Sequence, residues 1–387
     1  MKIPKKRDND YSTEAIQARL RFLSKHAGYK LNSLGSSDMD PGLTQGNIEN
    51  IIGFSQVPVG LIGPLKINGE HAKGNFFVPM STTEGALISS YNRGARVVSL
   101  SGGVNVVITK DSIQRAPYFV LENVFKAREF VEWLANNFER VKKVAESTTS
   151  HGKLLGYESF VQGRIVYVRF SYSTGDAMGM NMVTRATQEA CKYIGQQFPL
   201  NGFAIESNMA VDKKPAYLNT IQGRGKTVTA EVLFKKRIIS RFLHTTARKI
   251  DQAYHRQASG AQMAGAMGSN GHVANGVAAM FLACGQDMAN VSESCVGHIY
   301  TEVIKDDLYV SLQIPSLVVG TVGGGVSLPT QRECLEILGC YGEGKVRKFT
   351  EIVAGTVLAG EISLAAAIVA GDFVTAHEQL GRNRPQE

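Results

Sequence analysis

The sequence predicts a mixed fold, α+β or α/β, in which a compact split βαβ unit interrupts a larger domain. Three observations carry this expectation. From Pro117 to about Phe198 the pattern runs strand, helix, strand, strand, helix. Two long segments dense in small residues, Ala258 to Ala289 and Phe349 to Gly371, permit close helix packing and mark a tightly built core. The first 48 residues read as a helix followed by loops. The resulting division is an N-terminal helical part (1–48), a large domain (49–115 and 200–387) and an inserted small domain (116–199).

Each element has a local reason. Ile16, Leu20 and Leu23 recur at helical spacing between Thr13 and His26, and Leu34-Gly-Ser-Ser-Asp reads as a loop. Asn50 to Pro64 is apolar but punctuated by Gly and Pro, which suggests short strands with turns; Phe76 to Met80 is a further strand. Ser81 followed three residues later by Glu84 matches a capping box for a helix carrying Leu87, Ile88, Tyr91 and Val97. Within the insertion, a strand from Tyr118 leads to a helix from Lys126 to Lys143 with Phe130, Val131, Leu134 and Phe138 on one face. Alternating strands follow at Leu154 to Gln162 and Arg164 to Tyr172, then a helix through Ala190 and Ile194. A strand at Gly202 to Ile205, a polar loop from Glu206 to Lys214 and a strand at Lys226 to Phe234 return the chain to the large domain.

Composition narrows the partners. At 43% hydrophobic and 20% charged residues the chain is an ordinary globular protein. A net charge of +8 favours an anionic partner. The Lys and Arg residues are dispersed without aromatic interleaving, which argues against nucleic acid and for a polyphosphate ligand such as coenzyme A or a dinucleotide. Five cysteines, an odd number without metal-ligand spacing, fit reduced thiols in a cytoplasmic protein and no metal site. The basic N-terminus is followed by no apolar stretch, so no secretory signal is expected. The most membrane-like run, Ile352 to Gly371, is interrupted by Glu361 and reads as an internal helix of a soluble protein.

The stretch Gly175-Asp-Ala-Met-Gly-Met-Asn-Met182 combines glycines that let backbone approach a ligand with methionines that form an adaptable apolar surface. Asp176 and Asn181 add polar groups; the alternative is a helix start whose methionines face a core. Gly225-Lys-Thr227 lacks the earlier glycine of a P-loop, and G-x-G-x-x-G is absent. Gly320-Thr-Val-Gly-Gly-Gly325 exposes backbone amides suited to a phosphate, or is a plain turn. Val211-Asp-Lys-Lys-Pro215 reads as an exposed loop. Asp287 follows an apolar stretch, so a buried carboxylate there needs a partner such as Lys213.

Taken together, Glu49-Asn-Ile-Ile-Gly, Pro58-Val-Gly, Thr83-Glu84-Gly85, the Met-Gly stretch, Asp212-Lys-Lys-Pro, Gly285-Gln-Asp287 and Gly320-Thr-Val-Gly-Gly-Gly resemble 3-hydroxy-3-methylglutaryl-coenzyme A (HMG-CoA) reductase. The resemblance runs from about residue 47 to His377, and the Met-Asn-Met ending resembles the biosynthetic class I branch. It implies a large domain built around a central helix, with an inserted ferredoxin-like domain that binds the nucleotide. The implied activity is reduction of the HMG-CoA thioester to mevalonate by two NADPH, through bound mevaldehyde, in isoprenoid biosynthesis. The implied catalytic set is Glu84, Lys213, Asp287 and His377: lysine for the developing oxyanion, Asp287 to hold it, Glu84 and His377 as proton donors to alkoxide and thiolate.

The resemblance also implies substrate-binding roles. Arg115, Asn208, Asp212, Lys214 and Asn275 match the hydroxymethylglutaryl end; Ser90, Asn92, Arg93 and His272 match contacts to coenzyme A. For the cofactor it implies Asp176, Met178, Gly179, Met180, Asn181, Gly323, Gly324 and Gly325, with Lys153, Lys142, Lys143, Asn383 and Arg384 for a 2′-phosphate. Sites shared across a subunit interface imply a homodimer or tetramer. The chain departs from the pattern in three places. His255 or Arg256 stands where many relatives have a lysine, a serine is displaced against an acid at Glu206-Ser207, and Ser150-His-Gly-Lys153 lacks an arginine. The competing expectations are a related acyl-CoA or aldehyde reductase with a different acyl group, and a non-catalytic coenzyme A- or nucleic-acid-binding protein.

Overall fold

The Ser12 hydroxyl accepts the Ala15 N–H to start helix α1 (Thr13–Ala27), and Gly28 ends it in the left-handed conformation. The computed structural model describes residues 2–371 together with Glu378 and Leu380, so His377, Asn383 and Arg384 lie outside the described residues. Ile16 and Leu20 of α1 pack on Ile51, and the buried Arg19 donates to the carbonyls of Pro4, Asp10 and Ile51.

Strands β1 (Val59–Gly69) and β2 (Lys73–Ser81) form an antiparallel pair in register from Val59↔Ser81 to Asn68↔Lys73. The expected capping box does not form. Ser81 completes β2 and donates its hydroxyl to the Pro58 carbonyl, and α2 (Leu87–Leu100) begins only at Leu87. Strand pairing has taken the residue that would have capped the helix, leaving Glu84 in the connecting loop. β3 (Val104–Arg115) then serves two sheets. Its first part lies against β1, and its last residues, Ile113 to Arg115, pair with the insertion.

The insertion comprises β4 (Tyr118–Val120), α3 (Val124–Glu146), β5 (Lys153–Gln162), β6 (Ile165–Ser173), α4 (Met180–Gln197) and β7 (Gly202–Ala204). Its strands lie in the order β7-β4-β6-β5, all antiparallel, which is the ferredoxin-like arrangement. β7 falls beyond the expected boundary at residue 199, because its partner is β4 and not a strand of the large domain. Phe119, Phe130, Leu134, Phe170, Val183 and Ile194 fill a core of its own.

The chain continues through α5 (Tyr217–Gln222), β8 (Gly225–Phe234), α6 (Lys236–Phe242), α7 (Ala247–Met263), α8 (Val273–Ala283), α9 (Val291–Ser294), β9 (His298–Ile304), β10 (Asp307–Leu317), α10 (Pro329–Ile337) and α11 (Val346–Ala370). β8 and β10 extend the large sheet from β3, with β9 at its edge. The small-residue segment from Ala258 to Ala289 is not one core helix. α7 ends at Met263, which is 87% exposed, and Gly265, Gly268 and Gly271 lie in irregular chain before α8. Only α8 is core.

α11 is the axis of the large domain. By length and composition it could cross a membrane, yet 83% of its most apolar window is buried inside the protein. A Cβ on Gly94 of α2 would collide with the Ala359 carbonyl, so the two helices meet at backbone distance. Three carboxylates tie loops to this helix. Glu351 accepts the N–H groups of Glu70, His71 and Ala72, and Glu361 those of Gly271 and His272. Asp176 accepts those of Gly344, Lys345 and Val346 at 2.8, 2.9 and 3.0 Å, capping α11 from outside.

Desolvation works to raise the Asp176 pKa, but these three amides together with Lys226 outweigh it and leave it lowered. The stability Asp176 contributes is therefore present above the unfolded-state carboxylate pKa and is lost as pH falls through the folded one. Asp176→Asn is expected to cost about 1–2 kcal/mol at neutral pH. Urea unfolding should show the gap to wild type closing as the pH is lowered; a gap that stays constant contradicts the capping role.

Candidate active site

The loop after β7 holds Asn208, Val211 and Lys213 at φ of 64°, 52° and 57°. Left-handed backbone costs a non-glycine residue about 1–2 kcal/mol, so the surroundings must impose it. The clamp is Arg224, fully buried just before β8. It donates to the Asp212 carboxylate, to Glu293 Oε1 at 3.4 Å and to the Gln114 carbonyl at 2.9 Å, and it touches Met180 Sδ at 3.2 Å. Glu293, on α9 and 1% exposed, accepts the Lys213 N–H at 3.2 Å. Burial raises the Glu293 pKa against the opposing pull of Arg224.

So held, Lys213 directs its Nζ to Asp287 Oδ2 at 2.9 Å. Asp287 opens a one-turn 3-10 segment and accepts the Ala289 N–H with its other oxygen. The expected burial of Asp287 is only partial: its side chain is 32% exposed. The hydrogen bond that Lys213 donates to Asp287 raises the Lys213 pKa despite some desolvation, which keeps the ammonium charged.

Asp287 also borders a groove of about 630 Å³ lined by Ala177 to Met182, Gly285, Gln286, Gly320 and Val322 to Val326. Both glycine-rich stretches therefore meet at one place. They are stitched together by the Thr321 N–H to the Asp176 carbonyl at 2.8 Å, and by Gln286 Oε1 accepting the Gly320 N–H at 2.8 Å. Gly179, at φ 83°, is the N-cap of α4, so the positive end of that helix opens on the groove. Gly323 and Gly324 have open space where a side chain would stand. Met178, Gly179, Met180, Asn181, Gly323, Gly324 and Gly325 all line it. This donor set fits a dinucleotide: amides and a helix N-terminus for phosphate, methionines for a flat ring. Asp176 does not contribute its carboxylate, which is committed to α11. Lys153 stands at the start of β5, exposed and paired with Glu146 at 3.6 Å; the preceding loop touches the groove through Thr149 and Met182.

A second cavity, of about 320 Å³, lies between α2, α8 and α11 and is lined by Glu84, Ser90, Arg93, His272 and Asn275. Asn275 donates to Glu84 at 2.6 Å, and the His272 ring stacks on Tyr91 at 5.1 Å. Arg93 and Ser90 bond to Ser363 of α11. Asn92 turns from the cavity and accepts the Gly63 N–H. Among the described residues the two cavities share no lining residue. Lys214 bonds back to the Asp212 carbonyl, Arg115 pairs with Glu206 and Thr184, and His255 sits 3.4 Å from Asp251. Sequence reasoning missed Arg224, Glu293 and Glu361. A signal for Arg224 existed in Gly223-Arg-Gly-Lys, where a buried cation follows a glycine and no phosphate loop is formed.

A ferredoxin-like insertion, a nucleotide-sized groove and a charged lysine on its rim define a reductase-type enzyme. The hydroxymethylglutaryl-coenzyme A reductase family model matches residues 15–382. The chain is 45% identical over 376 residues to the 3-hydroxy-3-methylglutaryl-coenzyme A reductase of Methanocaldococcus jannaschii, covering 95% of this chain and 93% of that one. The enzyme of the same name from Pyrococcus horikoshii is 47% identical over 378 residues, covering 95% and 92%. Among solved structures, a class II 3-hydroxy-3-methylglutaryl-CoA reductase from Streptococcus pneumoniae bound to NADPH superposes with a TM-score of 0.70 at 19% identity, covering 93% of this chain and 99% of that one. The chain belongs to the hydroxymethylglutaryl-coenzyme A reductase family.

Removing the clamp leaves Glu293 and Asp212 as uncompensated charges. Arg224→Leu is expected to destabilise the fold by about 3–5 kcal/mol. Guanidinium unfolding measures it, and a cost below about 1 kcal/mol would show that the loop is held by something else.

Proposed function

We propose that this chain reduces the thioester of HMG-CoA to mevalonate and free coenzyme A, consuming two NADPH, as a step of isoprenoid biosynthesis. The observation that carries this reading is the Lys213–Asp287 pair at 2.9 Å on the rim of a groove built from two glycine-rich stretches. Gly179, Gly323, Gly324 and Gly325 would hold the cofactor phosphates, with Met178, Met180 and Asn181 against its rings. NADPH supplies hydride when bound there. Lys213, kept cationic by Asp287, stabilises the negative charge that grows on the substrate carbonyl oxygen. Arg115, Asn208, Asp212 and Lys214, on or beside the same loop, take the hydroxymethylglutaryl end.

Glu84, oriented by Asn275, delivers a proton to the developing alkoxide. Ser90, Asn92, Arg93 and His272 take the coenzyme A arm, and His377 protonates the departing thiolate. The Glu84 cavity and the groove beside Asp287 share no lining residue among the described residues, which supports a site completed by a second copy, in a homodimer or a higher assembly such as a tetramer. Lys153, Lys142, Lys143, Asn383 and Arg384 favour NADPH over NADH. The class I assignment rests on Met180-Asn181-Met182 alone, since the class II neighbour shares the fold at 19% identity. A cytoplasmic location is supported by five free cysteines.

Loss of NADPH absorbance with HMG-CoA tests the reading directly. No loss with HMG-CoA but loss with another acyl-CoA would reassign the acyl group, and no reductase activity with salt-sensitive DNA binding would make it a binding protein. Lys213→Ala and Asp287→Asn are expected to lower turnover by roughly 10²–10³-fold or more with the far-UV dichroism unchanged. Near-normal rates in either variant would remove that residue from the mechanism. Because Asp287 holds the Lys213 pKa up, the alkaline limb of residual Asp287→Asn activity should move to lower pH. His377→Gln should impair thioester reduction and spare mevaldehyde reduction; equal loss in both contradicts its role at the thiolate.

A further inference from the structure

The guanidinium assigned to the substrate carboxylate is already occupied by a carboxylate of the chain itself. Arg115 ends β3 with only 12% of its side chain exposed. One terminal nitrogen donates to Glu206 Oε2 and the other to Thr184 Oγ1 at 2.8 Å, while the buried Nε–H has no partner. Glu206 places one oxygen on Arg115 and uses the other to accept the Asn208 N–H at 2.7 Å. The pair is therefore single-toothed. Glu206 cannot engage the guanidinium edge with both oxygens while it also holds Asn208. The arrangement forgoes the two-bond fork that gives arginine–carboxylate pairs their strength. Glu206 is also 34% exposed, so water can receive it if it is displaced.

We infer that Glu206 is a built-in competitor for the substrate's terminal carboxylate. Resting on the HMG-CoA reading above, substrate binds by displacing Glu206 from the terminal nitrogen of Arg115 that it occupies. Two carboxylates directed at the same guanidinium nitrogen compete for it, so occupancy by Glu206 raises the substrate concentration needed for half-maximal rate. Asn208, left-handed at φ 64°, loses the same contact when Glu206 leaves, which couples carboxylate arrival to the conformation of the Lys213 loop.

Glu206→Gln keeps the shape and removes the charge; Glu206→Ala removes both. The expected result is a KM for HMG-CoA about fivefold lower in each, with the change in KM and not in kcat. Calorimetry with glutarate, a bare dicarboxylate probe, should show matching tighter binding to the full-length variants, whereas coenzyme A alone should bind as it does to wild type. A KM that is unchanged or higher in both variants overturns the inference and makes Glu206 an orienting partner of Arg115. Tighter binding of coenzyme A alone overturns it too, since the effect would then be general charge. If wild type oxidises no NADPH with HMG-CoA, the functional reading fails separately, and the glutarate comparison still decides whether Glu206 competes for Arg115.

Discussion

A helix buried on every side through its middle turns is the constraint from which the large domain follows. α11 must be apolar and small-sided to be surrounded, and its polar groups must find partners within the protein. Glu351 and Glu361 meet this demand by gathering backbone amides from two loops, and Asp176 does the same for the free amides at the helix start. Each bond serves two ends at once. The Glu361 bonds that stabilise the core also fix His272 and with it the start of α8, which bears Asn275, and the Asp176 bonds anchor the methionine-glycine segment that forms the groove. The functional loops are thus fastened to the most rigid element of the molecule.

The lysine loop shows the same economy with the sign of charge reversed. Left-handed backbone at three non-glycine positions is tolerated because the buried Arg224 and Glu293 hold the loop with directed bonds. A buried guanidinium suits this task, since its fork reaches Asp212, Glu293 and the Gln114 carbonyl at once. Its contact with Met180 joins the loop to the first turn of α4, so the ammonium and the groove are positioned by one network. The ferredoxin-like insertion acts as the holder of that helix.

Much of the architecture was legible before any coordinates. α1, α3, β5 and β6 lie close to where apolar periodicity puts them, because each buries one face against a single layer. The insertion was legible for the same reason, although β7 was assigned to the wrong sheet; three residues carry no periodicity that names a partner. The capping box at Ser81 failed since hairpin pairing outcompeted a local cap. The segment from Ala258 to Ala289 failed since small residues serve equally in a packed helix and in a glycine-rich loop. Among site residues, the glycines and methionines of the groove stood out by composition, whereas Arg224 and Glu293 look like any charged residue in a chain and Glu361 stood out only as a break in an apolar run.

What the sequence by itself determined is the inventory: a split βαβ insertion, two glycine-rich stretches, an acid awaiting a lysine, and motifs dense enough to name a family. These are local matters, set by backbone permission and side-chain period. Only the tertiary structure decided which charges are buried together, that Glu84 and Asp287 line different cavities, and that Arg115 is held by Glu206. Such pairings join residues tens to hundreds of positions apart. They follow from the free energy of desolvating a charge, which no single stretch of chain can reveal.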